Sequence, residues 1–309
     1  MRSEYRPQDI VLRKGDFDVK PAVFDYVTPK TLEEAFSLLD EYGFDAKIIS
    51  GGQSLVPMMN MRLARPEVLI DINELKEIEY INVTDKEIQI GGLTRQYRVE
   101  NSKELQEACP LLTEGMTLIG HSQIRSRGTV GGSITHADPT AELPVILATL
   151  DGTITLGSSE GMRTLTPDEF FLTYLTTTIE PNEILCSITI PRTFNERTGY
   201  AIEEFTLRKG DFAIVLAAAI VTLDDEGKVS SAKLTVGGVD GIPVVVEEVV
   251  DDLIGKLPTD EKIEACCEQI VDLIDPEPDI HASVEYRKDL SVTLSQRVLK
   301  KAVERANKK

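Results

Sequence analysis

Two pairs of adjacent glycines, each flanked by small polar residues, are the features of this sequence best suited to binding chemistry. Gly51 and Gly52 end the apolar stretch of IISGGQSL, and Gly131 and Gly132 lie in TVGGS. Glycine lets the backbone approach a ligand closely, and successive N–H groups in such a bend form a concave site for an anion. The first loop taken alone is explained equally well as an ordinary tight turn between a strand and a helix.

Two carboxylates, Asp138 and Glu142, follow the second glycine pair. Carboxylates accept hydrogen bonds from hydroxyl groups, so an anion-binding bend followed by carboxylates fits a dinucleotide that carries a polyol. Asp138-Pro139 can instead be a turn that starts a helix, with Glu142 in the first turn, where the helix dipole favours negative charge. We favour the turn for Asp138 and leave both interpretations open for Glu142.

The glycine pairs do not match the commonest nucleotide-binding motifs. No G-x-G-x-x-G follows the first predicted strand, and GGQSLVPM lacks the Lys-Ser or Lys-Thr ending of a Walker P-loop. The stretch 120–144 is rich in glycine and small polar residues, and we expect a long functional loop there. Its Arg125 and Arg127 could pair with phosphate or with another subunit, or could equally be solvated surface side chains.

The elements that must position these motifs alternate between strands and helices at the start of the chain. Strands are predicted at 22–27, 46–50 and 67–72, and Thr31 with Glu34 has the pattern of a helix-capping box. From residue 77 the pattern indicates a hairpin, and beyond about 198 three long strands precede three helices. We therefore predict an N-terminal extension at 1–20, a first lobe at 21–76, a second lobe at 77–192 and a C-terminal domain at 198–309.

The bulk composition restricts the classes of function. A net charge of −19 disfavours nucleic-acid binding, although backbone N–H groups can still hold a pyrophosphate. Four cysteines without a C-x-x-C pair and three scattered histidines predict no metal or iron–sulfur site in this chain. The longest apolar run, 212–223, is too short to span a bilayer, and the first residues lack a signal-peptide layout, so we expect a cytoplasmic protein.

Long strings around both glycine pairs resemble the medium, FAD-binding subunit of the molybdenum hydroxylase family. The strings are SGGQSLVPMMNMRLARPEVLIDI at 50–72 and IRSRGTVGGSITHADPTAELP at 124–144. RKGDFAIV at 208–215 and SVEYRKDLSVTLSQRVLKKA at 283–302 are similar to parts of its C-terminal domain. The family includes aerobic carbon monoxide dehydrogenase, nicotinate dehydrogenase and xanthine dehydrogenase, and the resemblance covers about residues 21–305.

The resemblance implies an α+β fold: a two-lobed FAD domain of the vanillyl-alcohol-oxidase or PCMH type, followed by an α+β C-terminal domain. It also implies non-covalently bound FAD that accepts electrons from two-iron two-sulfur clusters in a small partner subunit. A large molybdenum–pterin subunit would oxidise the substrate, and a dimer of heterotrimers is the expected assembly. The residues that match FAD contacts of the family are Ile48, Ile49, Ser50, Gly51, Gly52, Gln53, Ser54, Leu55, Gly120, Thr129, Val130, Gly131, Gly132, Ser133, Glu142 and Leu185. Asp138 is a further candidate contact.

The sequence departs from the family pattern at one position near the flavin. Several relatives carry a lysine a few residues before RKGDF, where this chain has Glu203 and Glu204. The first loop contains no histidine, which disfavours a covalent link to flavin, and the Cys-rich insertion of one branch is absent. Two alternatives stay open: a self-contained flavin oxidase or reductase, with Tyr174 or Tyr200 as candidate bases, and a non-catalytic nucleotide-binding assembly subunit.

Overall fold

The computed structural model describes residues 19–192 and 196–308. Nearly all of the predicted N-terminal extension, residues 1–20, lies outside the described residues. Within the described ranges, no helix combines the length and apolar character needed to cross a bilayer.

The first sheet is small and parallel, in the order β1-β3-β2. Its elements are β1 (Asp25–Val27), α1 (Leu32–Tyr42), β2 (Ala46–Ile49), α2 (Leu55–Asn60) and β3 (Val68–Asp71). Thr31 caps α1 as predicted, since its side chain accepts a hydrogen bond from the Glu34 N–H at 3.2 Å. In a parallel sheet the carboxyl ends of neighbouring strands share one edge, so the chain segments after β2 and after β3 lie side by side.

The second sheet is antiparallel, in the order β4-β5-β10-β6-β7. Most of the helices of this region lie between β5 and β6 along the chain. The elements of the region are β4 (Ile81–Val83), β5 (Glu87–Gly91), α3 (Gln96–Glu100), α4 (Lys103–Ala108), α5 (Pro110–Met116), α6 (Ser122–Arg127), α7 (Val130–His136), α8 (Glu142–Thr149), β6 (Thr153–Ser158), β7 (Gly161–Leu165), α9 (Pro167–Phe170), β8 (Phe171–Thr173), β9 (Thr176–Thr177) and β10 (Ile184–Pro191). Strands β4 and β5 form the predicted hairpin.

The stretch 120–144 is not the long loop expected from its composition. It folds into α6, α7 and the start of α8, so the second glycine pair lies in the first turn of a helix. Thr129 caps that helix, because its side chain accepts a hydrogen bond from the Gly132 N–H at 3.1 Å. A capping hydroxyl together with tertiary packing therefore overrides the low helix propensity of adjacent glycines.

The C-terminal region is an antiparallel sheet, in the order β11-β12-β13-β14, with one long helix across it. Its elements are β11 (Thr198–Phe205), β12 (Val215–Leu223), β13 (Val229–Gly237), β14 (Val244–Val245), α10 (Glu247–Asp251), α11 (Asp260–Cys267) and α12 (Val284–Asn307). Helix α12 packs on β11 and β12, with Leu294, Val298 and Leu299 buried. Helices α5 and α8 of the second region also contact this sheet, and Ile202 and Leu216 belong to that region's core.

Candidate functional site

The two glycine motifs, which belong to different sheets, touch each other through the main chain. A Cβ atom placed on Gly51 would lie 2.5 Å from the carbonyl oxygen of Arg127 and 2.9 Å from the Cα of Gly128. The hydroxyl groups of Ser50 and Thr129 are 3.0 Å apart, within hydrogen-bonding distance. The two glycine motifs, far apart in sequence, therefore lie next to each other in the fold.

The first motif presents unused backbone donors. Ile48 and Ile49 end β2, and Leu55 opens α2, so residues 50–54 form the turn between them. Gly52 has a φ of 71°, a left-handed conformation that favours glycine, and the Gln53 side chain braces the turn by donating to the Gly51 carbonyl at 3.0 Å. Among the described residues, no hydrogen bond uses the N–H groups of residues 51–55. These donors are available to an anion.

The second motif does not present free backbone donors, and here the prediction from sequence is wrong. The N–H groups of Val130 and Gly131 donate to the carbonyls of Thr94 and Gly92 at 3.0 and 2.8 Å, and the Gly132 N–H is taken by the Thr129 side chain. The reason is that the first N–H groups of a helix have no partners within the helix, and here the end of β5 and the capping hydroxyl satisfy them. Gly131 instead allows close packing, because a Cβ there would lie 2.8 Å from the Gly92 oxygen.

A polar network that the motif analysis missed joins the two glycine motifs. The Asn73 side chain donates to the Ser50 carbonyl at 2.8 Å, and its oxygen accepts a hydrogen bond from Arg95 at 2.6 Å. Arg95 also donates to the Arg127 carbonyl. Burial, followed by the neighbouring charge of Arg127, lowers the pKa of Arg95 below its usual value. The signal for Asn73 was its place directly after EVLIDI, at the strand edge that also holds the first motif.

Gln96 is a second residue that the motif analysis missed. Its side chain is only 4% exposed, and its Oε1 atom has no hydrogen-bond partner among the described residues. A Cβ atom on Gly128 would lie 2.5 Å from that oxygen, so the amide rests against the second motif. A buried carbonyl oxygen without a donor is unfavourable, which makes Gln96 a candidate contact for a ligand that carries N–H or O–H groups.

The two predicted carboxylates differ in how they are used. Asp138 accepts hydrogen bonds from the N–H and the hydroxyl of Thr140 at 2.9 and 2.6 Å, so its carboxylate is engaged in the turn before α8. Glu142 is the first residue of α8 and is 6% exposed, and no side-chain hydrogen bond from another described residue reaches its carboxyl. Burial is the main cause that raises the pKa of Glu142, to about 8, with Glu204 and Asp138 adding to it and Arg125 opposing it.

Among the remaining candidates, Leu185 lies beside the second motif, and Gly120 pairs with Arg125. Leu185, on β10, is buried, and its backbone oxygen packs against Gly92, next to Gly131. Gly120 has a φ of 46°, and its carbonyl accepts a hydrogen bond from Arg125 at 3.2 Å. Arg125 is mostly buried and pairs with Glu100 at 2.8 Å, so it is neither a free phosphate ligand nor a solvated surface side chain.

Comparisons with known proteins agree with this architecture. The family model described as the FAD binding domain in molybdopterin dehydrogenase matches residues 22–193, and the CO dehydrogenase flavoprotein C-terminal domain matches residues 200–302. The chain belongs to the FAD-binding medium subunits of the molybdenum hydroxylases. The medium chain of carbon monoxide dehydrogenase from Hydrogenophaga pseudoflava is 33% identical over 91% of this chain and 98% of its own length.

Two further relatives place the chain within this medium-subunit family. Subunit alpha of the 6-hydroxypseudooxynicotine dehydrogenase complex from Paenarthrobacter nicotinovorans is 41% identical, over 93% of this chain and 97% of its own length. A solved structure of quinoline 2-oxidoreductase from Pseudomonas putida 86 superposes with a TM-score of 0.89 and 31% identity, over 93% of this chain and 99% of that chain. The predicted family, the predicted fold class and the predicted cofactor are thereby confirmed.

The residues of this medium subunit fit the cofactor of the family. The open N–H groups of residues 51–55 suit a diphosphate, and the orphaned oxygen of Gln96 suits a donor of the nucleotide or of its hydroxyl groups. The carboxyl of Glu142, without a partner from other side chains, suits ribityl hydroxyls. The alternative bases are less suitably placed: Tyr200 lies under the Arg305 guanidinium at 4.8 Å, and Tyr174 is 42% exposed.

Proposed function

We propose that this chain is the FAD-carrying electron-transfer subunit of a multi-subunit molybdenum-dependent dehydrogenase. The observation that carries the proposal is the contact between the glycine motifs, where Gly51 meets Arg127 and Gly128 beside a row of unused N–H groups. Family membership supports FAD as the occupant of the cleft.

Each part of the cleft has one role in this proposal. The N–H groups of residues 51–55 bind the diphosphate, and Thr129 supports that turn through its hydroxyl contact with Ser50. Gly131, Gly132 and Ser133 remain candidate contacts through atoms other than their N–H groups, which are occupied within the protein. Glu142 binds ribityl hydroxyls, and Leu185 supplies an apolar contact to the ring. When bound, FAD supplies the capacity to take up and release electrons singly or in pairs, and the protein supplies position and electrostatics. The full candidate contact set is the one predicted from sequence, with Gln96 added.

The first lobe, the second lobe and the C-terminal domain are proposed to occupy residues 21–76, 77–192 and 198–309. The three largest sheets, one in each of these ranges, support this division. The FAD cleft then belongs to the contact between the two lobes, because β2 provides the first motif and α7 the second. Neither lobe contains a complete binding site.

The assembly is proposed to contain two other kinds of subunit. A small subunit with two-iron two-sulfur clusters passes electrons to this chain, and a large subunit with a molybdenum pterin oxidises the substrate. The names of two relatives, a "medium chain" and a "complex subunit alpha", support a multi-subunit enzyme. A dimer of such heterotrimers and a cytoplasmic location complete the proposal, and the four cysteines, all free and buried, suit a reducing compartment.

The decisive experiment is flavin analysis of the complex purified with its co-expressed partner subunits. We expect about one FAD per copy of this chain, released by heat, with an absorbance band at roughly 450 nm, as is general for flavin cofactors. Reducing the iron–sulfur clusters should then bleach that band. A complex whose heat-released supernatant holds no FAD would refute the proposal, and a bound flavin that the clusters cannot reduce would refute the electron-transfer role.

A further inference from the structure

Arg95 brings a positive charge to the place where the two glycine motifs meet. Its guanidinium donates through Nη1 to the Arg127 carbonyl and through Nη2 to the side-chain oxygen of Asn73 at 2.6 Å. The same Arg127 oxygen lies 2.5 Å from the position of a Cβ atom on Gly51. Asn73 in turn donates to the Ser50 carbonyl at 2.8 Å. The guanidinium therefore lies one hydrogen-bonded group away from the first motif on two sides.

The charge of Arg95 has no carboxylate partner among the described residues. Its two acceptors are neutral, since one is a peptide carbonyl and the other an amide oxygen. By contrast, Arg98 pairs with Glu79 at 3.1 Å, and Arg125 pairs with Glu100 at 2.8 Å. A half-buried guanidinium without an anion loses hydration and gains no ion pair, which is unfavourable. An anion bound beside the first motif would supply the missing partner.

The acidic residue of this network, Asp71, is engaged by other groups. Its carboxylate accepts hydrogen bonds from the Tyr26 hydroxyl and from the Asn73 side chain, the latter at 2.6 Å. Asp71 thus holds Asn73 in place, and Asn73 holds Arg95. The two hydrogen bonds of Arg95 use two of the five N–H donors of a guanidinium, so further donors are left for a ligand.

We propose that Arg95 is the counter-charge of the FAD diphosphate, which its guanidinium binds together with the N–H groups of residues 51–55. This inference rests on the proposed function, because it requires the diphosphate to lie at the first motif. Residues 48–55 contain no cationic side chain, and the chain as a whole carries a net charge of −19, which repels an anion. Hydrogen bonds from a guanidinium to phosphate are charge-assisted and stronger than those from neutral N–H groups.

The size of the effect follows from the type of bond that is lost. A hydrogen bond to a charged group contributes enough free energy to change a dissociation constant about 10- to 100-fold. The guanidinium is also held in place by Arg127 and Asn73 before FAD arrives, so little side-chain entropy is lost when the cofactor binds.

The test is a titration of FAD into the flavin-depleted complex, followed by flavin fluorescence. Arg95→Gln should weaken binding about 10- to 100-fold, and this loss should shrink as salt is raised from roughly 0.05 M to 0.5 M, because salt screens the charge pair. Arg95→Lys keeps the charge but not the fork of donors, so it should bind FAD about 3- to 10-fold more tightly than Arg95→Gln. Arg98→Gln is the matched control, since it removes the same charge one helical turn away from an exposed ion pair, and it should change the affinity less than about twofold.

The outcomes separate this inference from the proposed function. An unchanged affinity in Arg95→Gln overturns the counter-charge while FAD binding stands. Equal losses in Arg95→Gln and Arg95→Lys that salt does not alter also overturn it, because Arg95 would then only hold the two motifs together. A wild-type complex that binds no FAD overturns the proposed function itself.

Arg95→His keeps the inference testable if Arg95→Gln does not fold. An imidazole carries its positive charge in acid and loses it near neutral pH. Relative to Arg98→His, the FAD affinity of Arg95→His should fall at least about threefold between roughly pH 5.5 and pH 8. Parallel pH profiles of the two variants would overturn the proposal.

Discussion

Replacing Gly51 by alanine tests the contact between the two glycine motifs most directly. The added Cβ would lie 2.5 Å from the Arg127 oxygen and 2.9 Å from the Gly128 Cα, whereas ordinary contacts begin at 3.4 Å. Both neighbours are main-chain atoms, so no side chain can rotate away. The two motifs must therefore separate by about 1 Å, and overpacking of this kind costs about 1–3 kcal/mol.

Part of that cost should appear as lost cofactor affinity. In the proposed site the motifs meet beside the diphosphate, so their separation would displace the N–H groups of residues 51–55 from it. Each 1.4 kcal/mol corresponds to a tenfold change in the dissociation constant, so Gly51→Ala should weaken FAD binding about 5- to 100-fold. Titration of the flavin-depleted complex with FAD measures this change.

Gly43→Ala is the matched control for this experiment. Gly43 also lies in the first lobe and has a φ of 50°, but nothing lies within 4 Å of an added Cβ. That variant should lose about 1–2 kcal/mol of folding stability from backbone strain and keep its FAD affinity. If Gly51→Ala binds FAD as tightly as the wild type, the meeting of the two motifs does not form the cofactor site.

Three further predictions follow from buried groups. Burial raises the pKa of Glu142 from 4.5 to about 8 in the folded chain, so the stability it contributes is complete below pH 4.5 and is lost as the pH rises through 8. Glu142→Gln should therefore stabilise the flavin-free chain by about 3 kcal/mol at pH 7 and by less in acid, as measured by urea unfolding. Arg287 is buried and donates to the Ile214 and Gly238 carbonyls at 2.5 and 2.9 Å. Arg287→Met should therefore lower the free energy of unfolding by about 3 kcal/mol. Arg297→Ala, on the exposed side of the same helix, is the control and should change it very little. All four cysteines are buried, and burial raises the pKa of the Cys109 thiol to about 12 and that of the Cys186 thiol to about 11. A thiol reagent should therefore modify no cysteine in the native chain and four after denaturation. Rapid labelling of the native chain would contradict this packing.

The parts of the fold that depend on residues close together in the chain could be predicted from the sequence. Thr31 and Glu34 mark the start of α1 because a cap depends only on neighbouring residues. The turn at Gly51 and Gly52 was also recognisable, since a short apolar strand ends there and the following residues are polar.

The parts that tertiary contacts decide could not be predicted in the same way. The helix that begins at Val130 forms because its first N–H groups dock on Thr94 and Gly92, some forty residues earlier in the chain. The position of Asn73 after a predicted strand could be read from the sequence, but its partners Ser50 and Arg95 depend on long-range contacts between segments. Such long-range contacts turned an expected loop into a helix with its donors already occupied.

The position of β10 constrains when the cofactor can be loaded during synthesis. This strand, residues 184–191, is the central strand of the second sheet, between β5 and β6, although it is the last of the five in sequence. Its Cys186 carbonyl also accepts a hydrogen bond from the Gly92 N–H at 2.8 Å, directly beside the docking point of Gly131. Until β10 has been synthesised, the β4-β5 pair and the β6-β7 pair are not joined into one sheet. The long-range pairing that joins them forms only afterwards. We therefore expect flavin to bind only after β10 has been added, and a ribosome stalled before residue 184 should carry none.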